Sequence, residues 1–377
     1  MPTVQGECER RFAPVREAFE KSFARGEEIG ASFAVFRGGE LVVDLWGGFA
    51  DAAGARPWER DTVANVFSTT KAMAAVVLHL LVERGRVDLD APVAELWPEF
   101  AQAGKEALPV RHLLAHRAGL AALRPPLPTE ALWDWQRMTD ALAAEAPWWE
   151  PGTESGYHAM TYGYLVGEVA RRASGRTLGS YFREEVAEPI GADFWIGLPG
   201  SEDARVAEMV PPTAEERAAA GPAAAPAEGS LLARVMSNPP LAPETANLTA
   251  WRRAEIPAAN GHGNARSVAR VMSALGCGGA PLLGADALAR ATREEWQGRD
   301  RVLGVDMRWG LGFMLESAAL PLSPTGQAFG HGGWGGSLGI ADPGAQLSWA
   351  YVMNKMSAGT LGDRRAFQLA EALYAAL

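Results

Sequence analysis

Ser68-Thr69-Thr70-Lys71 places a hydroxyl and an amine three residues apart. On a helix, positions i and i+3 share a face, so the Lys71 amine reaches the Ser68 hydroxyl. The text that follows, KAMAAVVLHLLVERG, is apolar on nearly every face from Ala72 to Val82. It becomes charged at Glu83 and Arg84 and stops at Gly85. A helix that is hydrophobic all round belongs in a core, and glycine past a basic last turn is a common stop. Ser68 is therefore expected at the N-terminus of a buried helix, where unpaired N–H groups and the dipole favour negative charge. A serine beside a lysine that burial can deprotonate is an activated nucleophile.

A second serine competes for that role. Gly335-Gly336-Ser337-Leu338-Gly339 fits G-x-S-x-G, a pattern that marks a nucleophile on a strand–turn–helix elbow, with an acid and then a histidine later in the chain. After Ser337 the text reads as a hairpin, and the last histidine, His331, precedes it. Both requirements fail, and the segment reads as a glycine-rich strand.

Other elements must position Ser68 and Lys71. Residues 8 to 25 set Phe12, Val15, Phe19 and Phe23 at helical spacing among charges, an amphipathic surface helix. Gly30 to Arg37 and Glu40 to Gly48 flank Gly38-Gly39 as a hairpin. Leu89 to Phe100 and Val110 to Leu120 are expected as short helices punctuated by Pro92, Pro98 and Gly119, and residues 121 to 150 as an irregular, tryptophan-bearing stretch. An apolar helix is expected from Tyr162 to Arg172, a surface excursion over 211–246, and further helices at Ser267 to Leu275 and Ala285 to Glu295. Trp309 to Leu315, Gly336 to Ala341 and Gln346 to Met353 read as strands, and Ala366 to Leu377 as a closing helix. The pattern predicts an α/β (α+β) fold: one antiparallel sheet flanked by helices and built from both termini. Residues 1–66 and 305–377 would form the sheet-bearing lobe, and 67–304 a mostly helical inserted lobe, in a single unit over 1–377.

Composition bounds the function. With 377 residues the chain can bury a large core. A net charge of −10 and a pI of about 5.3 argue against nucleic-acid or anionic-membrane partners, which need clustered cations. Cys8 and Cys277 match no metal or redox spacing and are expected as free thiols. Without a signal-type apolar segment near the N-terminus or an 18-residue apolar run, the chain reads as cytoplasmic.

Taken together, FSTTKAM around Ser68, VRHLLAHRAGL at 110–120, PGTESGYHAMTYGYLVGEVARRASG at 151–175 and FGHGGWGGSLG at 329–339 resemble the serine β-lactamase and penicillin-binding family. Within it they are most similar to family VIII carboxylesterases, which look like class C β-lactamases. The resemblance covers nearly the whole chain. It implies that Tyr157-His158-Ala159 stands where the family has Tyr-x-Asn, and His331-Gly332-Gly333 where it has Lys-Thr-Gly. It also implies an oxyanion hole made by the N–H groups of Ser68 and Trp334.

Residue types then set the expected roles. Ser68 attacks the acyl carbon, and Lys71 must be neutral to accept its proton. That needs a fall of roughly 3 units, or about 4 kcal/mol, which burial can supply. Tyr157 is the other candidate base, and the two are expected to share one proton. Gly332 and Gly333 let substrate approach the backbone closely. His331 is mostly neutral at pH 7, so it weakens any clamp on a substrate carboxylate, and Ala159 lacks an amide. Both favour a neutral ester over a β-lactam. Trp148, Trp149 and Trp334 are candidates for an apolar acyl pocket, although core packing explains tryptophans as well. His112 and His116 have a metal-compatible spacing without an evident third ligand, so no metal or cofactor is expected. His79 reads as a core residue, and His262 has no role assigned. The expected activity is a serine carboxylesterase acting on short-chain acyl esters. The alternatives are transfer to an alcohol, β-lactamase or D-aminopeptidase-type activity, and a non-catalytic binding module. The oligomeric state is open.

Overall fold

A computed structural model of the chain describes residues 3–219, 229–279, 281–318, 320–359 and 362–377. Three strands come from the N-terminal segment: β1 (Gln5–Cys8), β2 (Gly30–Arg37) and β3 (Glu40–Gly48). Three short ones follow, β4 (Ala64–Asn65), β5 (Phe194–Ile196) and β6 (Gly261–Gly263). The C-terminal region adds β7 (Trp296–Arg299), β8 (Asp306–Trp309) and β9 (Met314–Leu315). It ends with β10 (Phe329–Gly332), β11 (Leu338–Asp342) and β12 (Leu347–Met353). The large sheet runs β1-β3-β2-β12-β11-β10-β9-β8-β7 with antiparallel neighbours throughout, and β4-β6-β5 form a small separate sheet. Both chain ends therefore meet at the centre, where β12 pairs with β2 from Leu347↔Arg37 to Met353↔Ala31.

The central strands are buried on both faces: β12 is buried at every position, and β2 at all but Arg37. Such strands read as continuous apolar runs because helices cover them. Helix Ala265–Ser273 packs on β2, β11 and β12, and the terminal helices Ala13–Ala24 and Arg364–Ala375 pack together. The expected hairpin has the bounds the sequence indicated, with Gly38 and Gly39 at φ 55° and 85°.

Several expectations are corrected. The helix after the serine begins at Thr70 and ends at Glu83, so Ser68 lies in the turn ahead of it. The expected helices at 89–100 and 110–120 shrink to 3₁₀ turns at Val93–Glu95 and Pro98–Phe100 and one helix, Val110–Leu114. Pro92, Pro98 and Pro109 start these turns, and the intervening prolines cannot donate within a longer helix. Conversely, Trp135–Ala144 is a helix inside the stretch expected to be irregular. Asp134 caps it by accepting from Arg137 N–H at 3.0 Å, and Met138 and Leu142 are buried at i, i+4 spacing. The strand expected over Trp309–Leu315 is interrupted at Gly310–Phe313, and the sheet's C-terminal portion begins at Trp296, ahead of residue 305.

Part of the expected excursion, 220–228, lies outside the described residues. Its described flanks form helices Ala214–Ala219 and Leu231–Ser237 and a 3₁₀ turn at Pro243–Asn247. Asn238 fastens it to the neighbouring loop. Its side-chain amide donates to Leu123 O at 2.7 Å and Pro125 O at 2.8 Å and accepts from Leu127 N–H at 2.8 Å.

Candidate active site

The turn that carries Ser68 is tightly wound. Phe67 has a left-handed φ of 42°, and three successive N–H groups, of Thr69, Thr70 and Lys71, donate back to the carbonyls of Val66, Phe67 and Ser68. A bulky residue at positive φ costs of order 1–3 kcal/mol and persists only where its surroundings over-determine it. Here the Thr70 hydroxyl donates to Phe67 O at 2.5 Å and accepts from Gly261 N–H at 2.9 Å, tying the turn to β6. The Phe67 ring packs against Trp334 at 5.3 Å and Trp251 at 6.5 Å.

Lys71 is fully buried in the first turn of its helix. Its Nζ lies 3.1 Å from Ser68 Oγ, 2.7 Å from Ala159 O and 2.9 Å from Ala258 O. Burial alone holds its pKa well below the usual lysine value; no carboxylate offsets it. The same burial acts in the opposite sense on Tyr157, whose hydroxyl faces Ser68 and whose pKa rises above the ordinary tyrosine range. Lys71 Nζ stands 4.7 Å from the Tyr157 ring centroid. Burial thus favours the neutral form of both groups, the amine on Lys71 and the phenol on Tyr157. Asp300, which sequence reasoning missed, orders the Tyr157 loop: its buried carboxylate accepts from the N–H groups of Tyr157, Val302 and Leu303, each at 2.9 Å.

β10 passes beside this cluster. It pairs with β9 only at Phe329 and Gly330, so His331 and Gly332 border the site without a strand partner on that side. Trp334, expected on the strand, lies in the turn between β10 and β11. Among the described residues, neither Ser68 N–H nor Trp334 N–H donates to another backbone group. Trp334 also lines a cavity of 1420 Å³ with Pro212, Pro243, Lys355 and Met356.

A buried lysine beside one serine is an arrangement suited to acyl chemistry, and a family comparison decides its lineage. The family model described as Beta-lactamase matches residues 15–374. The chain belongs to the beta-lactamase family. It is 46% identical to a solved family VIII carboxylesterase, with a TM-score of 0.92 and complete coverage of both chains. It is 44% identical to a penicillin-binding protein homolog from Caulobacter crescentus, with a TM-score of 0.91 and again complete coverage. Among curated proteins, Esterase/beta-lactamase LipL of Mycobacterium tuberculosis is 37% identical over 366 residues, 94% of this chain and 83% of that protein.

In this beta-lactamase-family frame, the remaining histidines are packing residues. His331 is buried, donates from Nδ1 to Gly332 O at 2.7 Å, and is pushed down to about 3 by burial and then by Lys71. It is neutral at working pH. His158 is satisfied on both nitrogens, by Gly156 O at 2.6 Å and Leu120 N–H at 3.0 Å. The helix bearing His112 ends at Leu114, and His116 takes a φ of 59°, so the two do not share a helical face. His116 Nδ1 accepts from His158 N–H at 3.1 Å, and its ring packs on Tyr157 and Trp309. No group of three or more potential metal ligands occurs among the described residues. His79 stacks on Phe313 with its Nε2 2.8 Å from Leu311 O, and His262 lies in the middle of β6 with Nδ1 bonded to Asn260 O.

Trp149 is buried in the core and Trp148 is partly buried against it. Their indole N–H groups donate to Ala122 O at 2.8 Å and Glu154 O at 3.0 Å, and Trp149 stands edge-on behind His158. Ser337 is buried, and its hydroxyl donates to Val66 O at 2.7 Å. No helix among the described residues is long and apolar enough to cross a membrane.

Proposed function

We propose that this protein is a carboxylesterase that cleaves short-chain acyl esters through an acyl-enzyme on Ser68, with Lys71 as the base. The environment of Lys71 Nζ carries the reading. A neutral amine has two N–H bonds and one lone pair. Two carbonyls, Ala159 O and Ala258 O, occupy the two N–H groups. In the neutral form the lone pair is then left for the remaining neighbour, Ser68, whose Oγ lies 3.1 Å from Nζ, so the hydroxyl can turn its proton toward the amine. Burial supplies the neutral form.

In acylation, the Ser68 proton moves to Lys71 as the Ser68 oxygen bonds the acyl carbon. The carbonyl electrons move onto oxygen, which the N–H groups of Ser68 and Trp334 receive; one such donor is worth about 10²–10³ in kcat. Collapse breaks the ester C–O bond. The leaving alkoxide takes the Tyr157 proton, which Lys71 replenishes. Water then repeats the sequence in reverse, giving a carboxylic acid and free Ser68.

A neutral ester is favoured because the cation that would hold a substrate carboxylate is replaced by neutral His331. Ala159 offers no side-chain amide, and Trp334 and Phe67 present an apolar border. Family VIII carboxylesterase and esterase/beta-lactamase relatives support the same activity. The unpaired Cys8 and Cys277 support residence in the cytoplasm. The test is hydrolysis of a p-nitrophenyl ester series. Ser68→Ala should abolish turnover and labelling by a fluorophosphonate; full activity in that variant would refute the assignment.

A further inference from the structure

Thr69 and Ser337 lie 268 residues apart in the chain, yet their hydroxyl oxygens are 3.0 Å apart and both side chains are buried. The bonding sense follows from the partners. A carbonyl can only accept, so the Ser337 proton is committed to Val66 O at 2.7 Å. The Thr69 hydroxyl must then donate to Ser337 Oγ. Thr69 N–H also donates to Val66 O at 3.1 Å, which closes a ring of three hydrogen bonds. The ring joins the turn holding Ser68 to the turn holding Trp334. Gly333 completes the seam: its N–H donates to Ser337 O at 2.8 Å, and a Cβ there would stand 2.2 Å from Val66 O and 2.3 Å from Ser337 Oγ. The other side of the Trp334 turn is anchored separately, by Ser357 N–H donating to Gly335 O at 2.9 Å.

We propose that Ser337, acting through Thr69 and Val66, is a positioning residue that fixes the separation of the Ser68 and Trp334 N–H groups as an oxyanion hole. This rests on the acyl-enzyme reading above. The two donors sit on segments distant in sequence, and the hydroxyl ring is the covalent-free link between them. Charge develops on the substrate oxygen only in the transition state, so a slackened link should lower kcat and leave ground-state binding alone.

Ser337→Ala and Thr69→Val each remove one hydroxyl, and Thr69→Ser keeps it. With p-nitrophenyl acetate, both deletions should lower kcat by about 10- to 100-fold with KM held within about twofold. Affinity for an arylboronic acid, which forms a tetrahedral adduct on Ser68, should fall in proportion. The double mutant should lose little more than either single mutant, and Thr69→Ser should retain activity. If Ser337→Ala does not fold, the Thr69 pair carries the test. Unchanged kcat in the folded deletion variants would overturn the proposal, as would a rise in KM with boronate affinity intact. Fluorophosphonate labelling of Ser68 in the unmodified protein separates the two readings: its absence sinks the acyl-enzyme, while labelling with unchanged kcat in the variants sinks only the positioning role.

Discussion

Lys71 and Tyr157 illustrate how one environment sets two protonation states in opposite directions. Burial penalises charge, so it lowers the pKa of the amine and raises that of the phenol. For folding, the sign is fixed by the amine. Between the folded and unfolded pKa of Lys71 the unfolded chain binds the extra proton, so this contribution to stability is lost as pH falls through that window. Catalysis has the same direction. kcat/KM should rise with pH along one limb as Lys71 becomes neutral, then stay flat to about pH 10, since Tyr157 titrates above the ordinary value. An alkaline decline near neutrality would contradict the assignment. Lys71→Arg, which cannot deprotonate, should cost about 10²–10⁴ in kcat with the fold retained. At position 331, neutrality down to about pH 3 removes any carboxylate clamp across the working range. The unmodified protein should therefore prefer p-nitrophenyl acetate to nitrocefin in kcat/KM. A charge-assisted bond of about 1.5–3 kcal/mol, roughly ten- to a hundredfold in rate, is the most that His331→Lys should recover. A preference for nitrocefin in the unmodified protein would defeat this account of position 331.

At the scale of elements, a helix packs against the segment that carries one of the carbonyls bonded to Lys71. Helix Thr161–Ser174 packs on the Lys71 helix, and at Gly163 it lies so close to residues 257–258 that a Cβ would be 2.5 Å from Ala258 N. Ala258 O is one of the two carbonyls holding Lys71. Gly163→Ala should therefore cost about 1–3 kcal/mol through overpacking and lower kcat together with Tm, measured by thermal unfolding and steady-state kinetics. Unchanged kcat would show that Ala258 O does not tune the amine. This also shows what the sequence could reveal. Ser68 and Lys71 stand at a spacing that suggested their chemistry, Tyr157 entered through the family resemblance, and the helix at 162–172 announced itself by its apolar run. Ala159 and Ala258 act through carbonyl oxygens that every residue has, so no residue type marks them. Asp300 turns its own loop by accepting from Val302 and Leu303 N–H, but its bond to Tyr157 N–H spans 143 residues and has no mark in the local sequence. The helix at Trp135–Ala144 was legible in Asp134, Met138 and Leu142, but the tryptophans and flanking prolines drew the reading toward irregular structure.

For the whole molecule, the two ends of the chain are fastened by a buried ionic cluster at the head of the central β2–β12 pair. The Arg365 guanidinium, on the C-terminal helix, donates to Glu28 at 2.9 Å and Asp363 at 2.8 Å, while the Tyr351 hydroxyl donates to Glu28 at 2.6 Å. Arg365 also donates to Gly335 O, in the turn that carries Trp334. Removing one partner of a buried pair leaves the other charge uncompensated, so Arg365→Ala should cost about 3–5 kcal/mol. Chemical denaturation checks that figure, and an unchanged midpoint would show the cluster to be dispensable. Strand at both termini predicted one shared sheet, and the β2–β12 pairing realises it; the ionic cluster was not legible, because Glu28 and Arg365 are 337 residues apart in ordinary charged surroundings. The central claim is that this assembled site forms an ester on Ser68. Rapid acid quenching of p-nitrophenyl acetate turnover, followed by proteolysis and mass spectrometry, tests it most directly. The acetyl group should be found on the peptide containing Ser68, and no acetylated peptide should form in Ser68→Ala; acetylation at Ser337, or turnover without any acetylated serine, would contradict it.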